Sequence, residues 1–150
     1  MTKIIYNKFD KKQIGQLPRI LFGGKIVVVL SVSEADKAVN YLLSRDILGI
    51  DTETRPVFHK GQHHKVALLQ VSDYDTCFLF RLNRIGMPKS VLKLLEDKTI
   101  PKIGLSLVDD MLMLHQRSKF TPGYFIDLQD YTKGLGIEDL SLQKLYANIF

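Results

Sequence analysis

The segment Val66-Ala67-Leu68-Leu69-Gln70-Val71 constrains the fold more than any other stretch of this chain. Strand side chains alternate between faces, so Val66, Leu68 and Gln70 fall on one side and Ala67, Leu69 and Val71 on the other. Both sides are largely apolar, which predicts a central strand covered on both faces. Leu48 to Thr54 precedes it across a polar, basic loop, Arg55 to Lys65, that contains Pro56 and Gly61. Thr76 to Arg81 follows it after the short turn Asp73-Tyr74-Asp75, so the three runs read as strands joined by antiparallel hairpins.

The flanking sequence adds helices. Ile26 to Leu30 is a β-branched strand, and Ser33 to Ser44 carries apolar residues at Ala35, Ala38, Val39, Leu42 and Leu43, a helical spacing. Ser33 is the expected N-cap, with Asp36 near the positive end of the helix dipole. Pro88 can open a helix at its first turn, with Val91, Leu92, Leu94 and Leu95 on the buried side. Ile100 to Leu105 reads as a short strand, placed near a sheet edge by Pro101, which cannot donate to a ladder. Leu107 to Arg117 is helical, Tyr124 to Asp127 can form a last strand, and Ser141 caps a terminal helix with Leu142, Leu145, Tyr146 and Ile149 on its apolar side. Hairpin-connected strands followed by strands alternating with helices specify an α/β class, a mixed central sheet with helices on its faces. Residues 1–24, with Ile14, Leu17, Leu21 and a break at Gly23-Gly24, are expected to form an arm docked on a domain comprising residues 25–150.

Composition limits the function classes. With 150 residues, 45% of them hydrophobic, the chain can bury a core of its own as one domain. A formal net charge of +5 favours an anionic partner, nucleic acid before a membrane, since the sequence has no amphipathic basic helix and no run of spanning length. The single cysteine, Cys77, sits in the apolar stretch Thr76 to Phe80, which fits a buried thiol and a reducing cytoplasm. Phosphate-binding loops, dinucleotide fingerprints and serine or cysteine nucleophile motifs are absent from the sequence.

Two acidic features bear on chemistry. In Leu48-Gly49-Ile50-Asp51-Thr52-Glu53-Thr54 an apolar run ends in carboxylates spaced i, i+2, which project to one side of a strand. Such a pair either faces water or offers oxygen ligands to a hard cation such as Mg²⁺. In Leu107 to Leu114, Asp110 shares a helix face with Leu107, Met111 and Leu114, where a carboxylate is costly to desolvate unless something pairs it. The basic loop carries Arg55, His59, Lys60, His63, His64 and Lys65. It is either a solvated charged loop or the path of a nucleic-acid backbone. The i, i+4 spacing of His59 and His63, with Gly61 between them, makes a poor zinc site.

In order and spacing, LGIDTETRPVFHKGQHHKVALLQVS, CFLFRL, KIGLSLVDDMLML, FIDLQDY and SLQKLY resemble the exonuclease domain of the DEDD superfamily, in its ribonuclease D and Werner-syndrome-type branch. The resemblance runs from about Lys25 to Phe150. It implies a ribonuclease-H-like fold and metal-dependent hydrolysis of single-stranded or 3′-end nucleic acid in the 3′-to-5′ direction, with two Mg²⁺ or Mn²⁺ ions. Asp51 and Glu53 are then ligands from the first motif and Asp110 from the second: Asp51 bridges both ions, Glu53 holds the one that activates water, and Asp110 the one beside the leaving group. The same resemblance puts the terminal sugar along Thr52 to Thr54 and the end base against Leu105, and the basic loop that follows, with Arg55, Lys60 and Lys65, lies where an incoming strand's phosphates would pass if it is not simply a solvated loop. One departure stands out. The family's third motif, Tyr-x-x-x-Asp on a late helix, has no counterpart downstream of Asp110, where Asp127, Asp130 and Asp139 are the acids at hand. The chain is therefore expected to be incomplete at its C-terminal side, and the competing expectation is an inactive nucleic-acid-binding module that lacks a fourth ligand. Ser106 replaces the asparagine often found four residues before the second-motif aspartate.

Overall fold

A computed structural model describes residues 2–150. A six-stranded sheet organises it, formed by β1 (Lys25–Val29), β2 (Leu48–Thr54), β3 (Val66–Ser72), β4 (Thr76–Arg81), β5 (Lys102–Gly104) and β6 (Phe125–Asp127). Their spatial order is β1-β4-β3-β2-β5-β6. The hairpins β2–β3 and β3–β4 are antiparallel, while β1 lies parallel to β4, β5 to β2 and β6 to β5. Five strands therefore run one way and β3 alone runs back. Around them lie α1 (Lys11–Ile14), α2 (Val32–Leu42), α3 (Leu82–Ile85), α4 (Lys89–Glu96), α5 (Leu107–His115), α6 (Leu128–Lys133) and α7 (Leu142–Ile149). The α/β class and mixed sheet expected from the sequence are present.

The core lies on one side of this sheet. Val29, Leu48, Ile50, Leu69, Val71 and Phe80 pack against Ala35, Val39 and Leu42 of α2, Val91, Leu94 and Leu95 of α4, and Leu107 and Leu114 of α5. The opposite side is only part-covered: Leu68, Gln70, Cys77 and Leu79 are half-buried, and Ile26 and Val28 are exposed. The expectation that β3 is covered on both faces is thus corrected. Its register is corrected too. Glu53 pairs with Leu68 but Thr54 pairs with Val66, so Ala67 is the extra residue of a β-bulge that turns Val66 to the core face with Leu69 and Val71. A bulge reverses the alternation a strand would otherwise keep.

Other local expectations shift for identifiable reasons. The N-cap of α2 is Ser31, not Ser33, because Ser31 and Glu34 form a reciprocal capping box in which each side chain accepts from the other's backbone N–H. Pro101 precedes β5 instead of interrupting it. The strand is interior, between β2 and β6, and the carbonyl of Pro101 accepts from Leu48 N–H. The start of β5 is pinned by Lys102, whose side chain is fully buried. Its ammonium donates to the carbonyls of Asp97 at 2.8 Å and Ile100 at 2.9 Å, and burial holds its pKa below the usual lysine range against the pull of Asp97.

On α7 the buried positions are Leu145 and Asn148, whereas Leu142 and Tyr146 face solvent. The reason is a polar clamp. Asn148 accepts from Tyr6 N–H at 2.9 Å and donates to the Tyr6 carbonyl at 2.6 Å, satisfying both backbone groups as a strand neighbour would. Asp139 accepts from Phe9 N–H, and Asn7 O accepts from Glu138 N–H. In the same arm Leu17 and Leu21 stay exposed.

Candidate active site

Every strand but β3 ends at the same edge of the sheet, which gathers Thr54, Arg81, Gly104 and Asp127 with the N-termini of α5 and α6. Ligands of open α/β sheets bind at the carboxyl ends of their strands. Along β2 the burial alternates: Leu48, Ile50 and Thr52 turn to the covered side, and Asp51 and Glu53 turn out, both exposed. The sequence thus places its acidic pair on one strand face, beside the bulge.

Asp110 reaches β2 from the covered side. The Thr52 hydroxyl donates to its carboxylate in a short hydrogen bond. Burial pushes the pKa of Asp110 up; the Thr52 bond opposes this, and the negative charges of Asp51, Asp109 and Asp127 reinforce it. Asp51 is therefore within electrostatic reach of Asp110, whereas Glu53 is not among the groups that act on it. Among the described residues no three His, Cys, Asp or Glu side chains gather tightly enough to hold an ion together.

The approach of α5 to β2 depends on Gly104. A Cβ there would lie 2.4 Å from Leu107 Cδ2 and 2.7 Å from the Ile50 carbonyl. The turn into the helix is held by Asp127, which the sequence did not mark for this role. One carboxylate oxygen accepts from Ser106 N–H at 3.1 Å and Gln129 N–H at 2.9 Å, and the other from Leu107 N–H at 2.8 Å. Asp127 caps α5 across space and α6 locally, so its lone pairs are committed to backbone. Ser106 has φ 59° and ψ 39°, left-handed backbone that asparagine or glycine adopts more readily than serine. That requirement accounts for an asparagine at this position without any substrate contact. The signal for Asp127 was Asp-x-Gln opening a helix, an N-cap pattern whose second client, α5, lies about twenty residues away.

Of the other candidates, Thr54 is half-buried at the end of β2, Leu105 is half-buried between β5 and α5, and Arg55, Lys60 and Lys65 are exposed on the β2–β3 loop. All border the same edge. Arg117 locks the base of that loop, donating to the carbonyl of Val66 and to Asn83 Oδ1. The spacing Tyr-x-x-x-Asp does occur upstream, at Tyr6 and Asp10, but Asp10 caps α1 and Tyr6 is the residue held by Asn148.

The donor set fits a hard divalent cation. It is all oxygen, and among the described residues none of Asp51, Glu53, Asp110 and Asp127 forms an ion pair with Lys, Arg or His. One or two carboxylates plus substrate phosphate oxygens is the usual Mg²⁺ complement. Cys77, half-buried, has its thiol pKa raised by burial and is a poor nucleophile. Among the described residues no helix is long and apolar enough to cross a membrane.

Comparison with known proteins agrees with this geometry. A family model described as 3′-5′ exonuclease matches residues 26–150. A 3′-5′ exonuclease of Arabidopsis thaliana is 31% identical over 136 residues, 83% of this chain and 43% of that protein. The mouse bifunctional 3′-5′ exonuclease/ATP-dependent helicase WRN is 28% identical over 120 residues, 76% of this chain and 9% of that protein. The chain thus spans less than half the length of either relative. Among solved structures, the EXD2 exonuclease domain soaked in Mg and GMP superposes with a TM-score of 0.64 at 27% identity, covering 84% of this chain and 70% of that one. The Trypanosoma brucei RNase D complex with RNA U12 superposes with a TM-score of 0.63 at 23% identity, covering 74% of this chain and 40% of that one. With residues 26–150 matched, a ribonuclease-H-like sheet and an acidic strand end facing an acidic helix, the chain belongs to the 3′-5′ exonuclease family, of the DEDD type found in RNase D and WRN.

Proposed function

We propose that this chain hydrolyses phosphodiester bonds at the 3′ ends of nucleic acid in a divalent-metal-dependent reaction. The observation that carries the proposal is the hydrogen bond from Thr52, the residue between Asp51 and Glu53, to Asp110, which ties α5 to the acidic end of β2 while none of these carboxylates is paired with a cation of the described residues. A solved relative soaked in Mg and GMP, and another bound to RNA, support both a divalent ion and a nucleic-acid substrate.

Asp51, Glu53 and Asp110 would hold Mg²⁺ or Mn²⁺. Two such ions supply an activated water and charge stabilisation at the leaving 3′ oxygen. The Thr52 hydroxyl orients the Asp110 carboxylate, and Asp127 fixes the turn from which Asp110 projects. The backbone of Thr52 to Thr54 borders the terminal sugar and Leu105 the terminal base. Arg55, Lys60 and Lys65 neutralise phosphates, a sequence-independent contribution that weakens with salt.

The test is a pair of assays. Mn²⁺ titrated into the protein by calorimetry should bind saturably, and Asp51→Asn should weaken that binding. A 5′-labelled single-stranded oligonucleotide should shorten from its 3′ end in Mg²⁺, and a 3′-phosphorylated one should resist. Metal binding unchanged by Asp51→Asn would remove the site, and shortening that persists in Glu53→Gln would remove the carboxylates from the chemistry.

A further inference from the structure

The β2–β3 loop carries a residue that the acidic site leaves unused. Phe58 is 86% exposed, more than any other apolar or aromatic residue among those described as exposed, so its ring touches almost nothing in the chain. Beside it Val57 is 43% exposed, and the surrounding loop presents Arg55, His59, Lys60, His63 and Lys65. A bare phenylalanine ring within a cationic loop is the pairing used to hold single strands, in which cations follow the phosphates and aromatic faces stack the bases.

The backbone positions that ring deliberately. Pro56 restricts the chain just past β2. A turn from His59 to Gln62 then closes through Gln62 N–H to the His59 carbonyl at 3.2 Å, with Gly61 at φ +86° where side chains are disfavoured. Phe58 stands directly before this turn, at the tip. It lies five residues beyond Glu53, at most about 18 Å along extended chain. A base held there would be only a few nucleotides from the carboxylates.

A second highly exposed aromatic shows what the arrangement adds. Tyr74 is 84% exposed, but it sits at the opposite end of the sheet between Asp73 and Asp75, which repel phosphate.

We infer that Phe58 is a stacking platform for a nucleobase of the single strand whose 3′ end enters the acidic site. This rests on the nucleic-acid reading above, yet its test needs neither metal nor hydrolysis. The chain contains no tryptophan, so Phe58→Trp creates a single fluorescent reporter at the tip of the loop. In EDTA, dT12 should quench that emission, and an abasic 12-mer with the same phosphates should not. In parallel, Phe58→Ala should bind dT12 about 5- to 100-fold more weakly than the unmodified chain. It should bind the abasic strand equally well and keep the same salt dependence, because phosphate contacts remain. Equal weakening toward both strands, or no weakening toward dT12, would overturn the assignment. A Phe58→Trp emission that responds to phosphatidylserine vesicles and not to dT12 would overturn it in favour of a membrane contact. Stacking without hydrolysis would leave Phe58 assigned while defeating the exonuclease proposal, and hydrolysis without stacking would do the reverse.

Discussion

Strand β3 joins two ends of one sheet that treat their carboxylates in opposite ways. At the β3–β4 turn Asp73 is satisfied from all sides: it accepts from Tyr41 Oη at 2.7 Å, Asp75 N–H at 2.8 Å and Thr76 N–H at 2.7 Å, with Arg45 Nε 3.5 Å away. Burial pushes its pKa up, but those bonds and the Arg45 charge more than offset it, and the pKa ends below the ordinary range. At the other end Asp110 has one hydroxyl donor and three acidic neighbours, and its pKa ends above that range. Asp51 and Glu53, on either side of Thr52 in β2, are exposed. A carboxylate that the fold has already satisfied is a structural part. One left among like charges is available to a cation.

The largest expected effect tests the unsatisfied end. Outer-shell partners of a metal commonly matter 10- to 100-fold, so replacing a ligand should cost at least as much, and Glu53→Gln should slow 3′-end hydrolysis by on the order of a hundredfold or more. Its melting temperature should hold, because Glu53 is exposed and forms no ion pair among the described residues. A variant that melts several degrees lower would show Glu53 to be structural and break the contrast.

Asp73→Ala should do the opposite. Two backbone N–H groups and a tyrosine hydroxyl lose their acceptor, a cost of about 1 to 3 kcal/mol in chemical denaturation, with hydrolysis retained at temperatures where the variant is folded. The pH dependence carries the same sign. Because the folded pKa of Asp73 lies below its unfolded value, its contribution is complete above that unfolded value, near 4. It is lost as pH falls through the folded pKa. Denaturation midpoints followed from pH 6 to pH 3 should therefore decline more steeply for the unmodified chain than for Asp73→Asn.

Asp127 lies between the two classes, a structural acid at the functional end. Asp127→Ala should cost about 1 to 2 kcal/mol through the lost caps. It should also weaken Mn²⁺ binding roughly tenfold, since Asp110 would no longer be held in place. Unchanged Mn²⁺ affinity would separate the cap from the site. The smallest effect is expected at Ser106, where Ser106→Gly relieves left-handed backbone and should raise stability by up to about 1 kcal/mol while leaving the Asp127 bonds intact.

Much of this was readable from local pattern. The alternation of Val66 to Val71 and Leu48 to Thr54, and the i, i+3, i+4 spacing of Ala35 to Leu42, report directly on backbone period, and those elements are present with shifts of one or two residues. Asp51 and Glu53 stood out as an i, i+2 pair at the end of an apolar strand, and Asp110 as a carboxylate on an apolar helix face. What local pattern missed depends on partners remote in the chain. Asn148 on α7 is buried because Tyr6, 142 residues away, presents it with a backbone N–H and carbonyl. Pro101 suggested an edge strand, yet β5 is interior because the proline falls one residue before the ladder begins.

The sequence by itself determined the strand and helix periods, the acidic strand end and the basic loop, since each is a property of neighbouring residues and their spacing. Only the tertiary structure decided which carboxylates are spent and which are free. That depends on which N–H groups, hydroxyls and cations the fold brings within about 3 Å of each oxygen. Asp127 and Asp110 both have apolar neighbours in the sequence and are both half-buried in the fold. Three backbone donors commit the first to holding a helix, whereas the second accepts a single hydroxyl hydrogen bond, from Thr52.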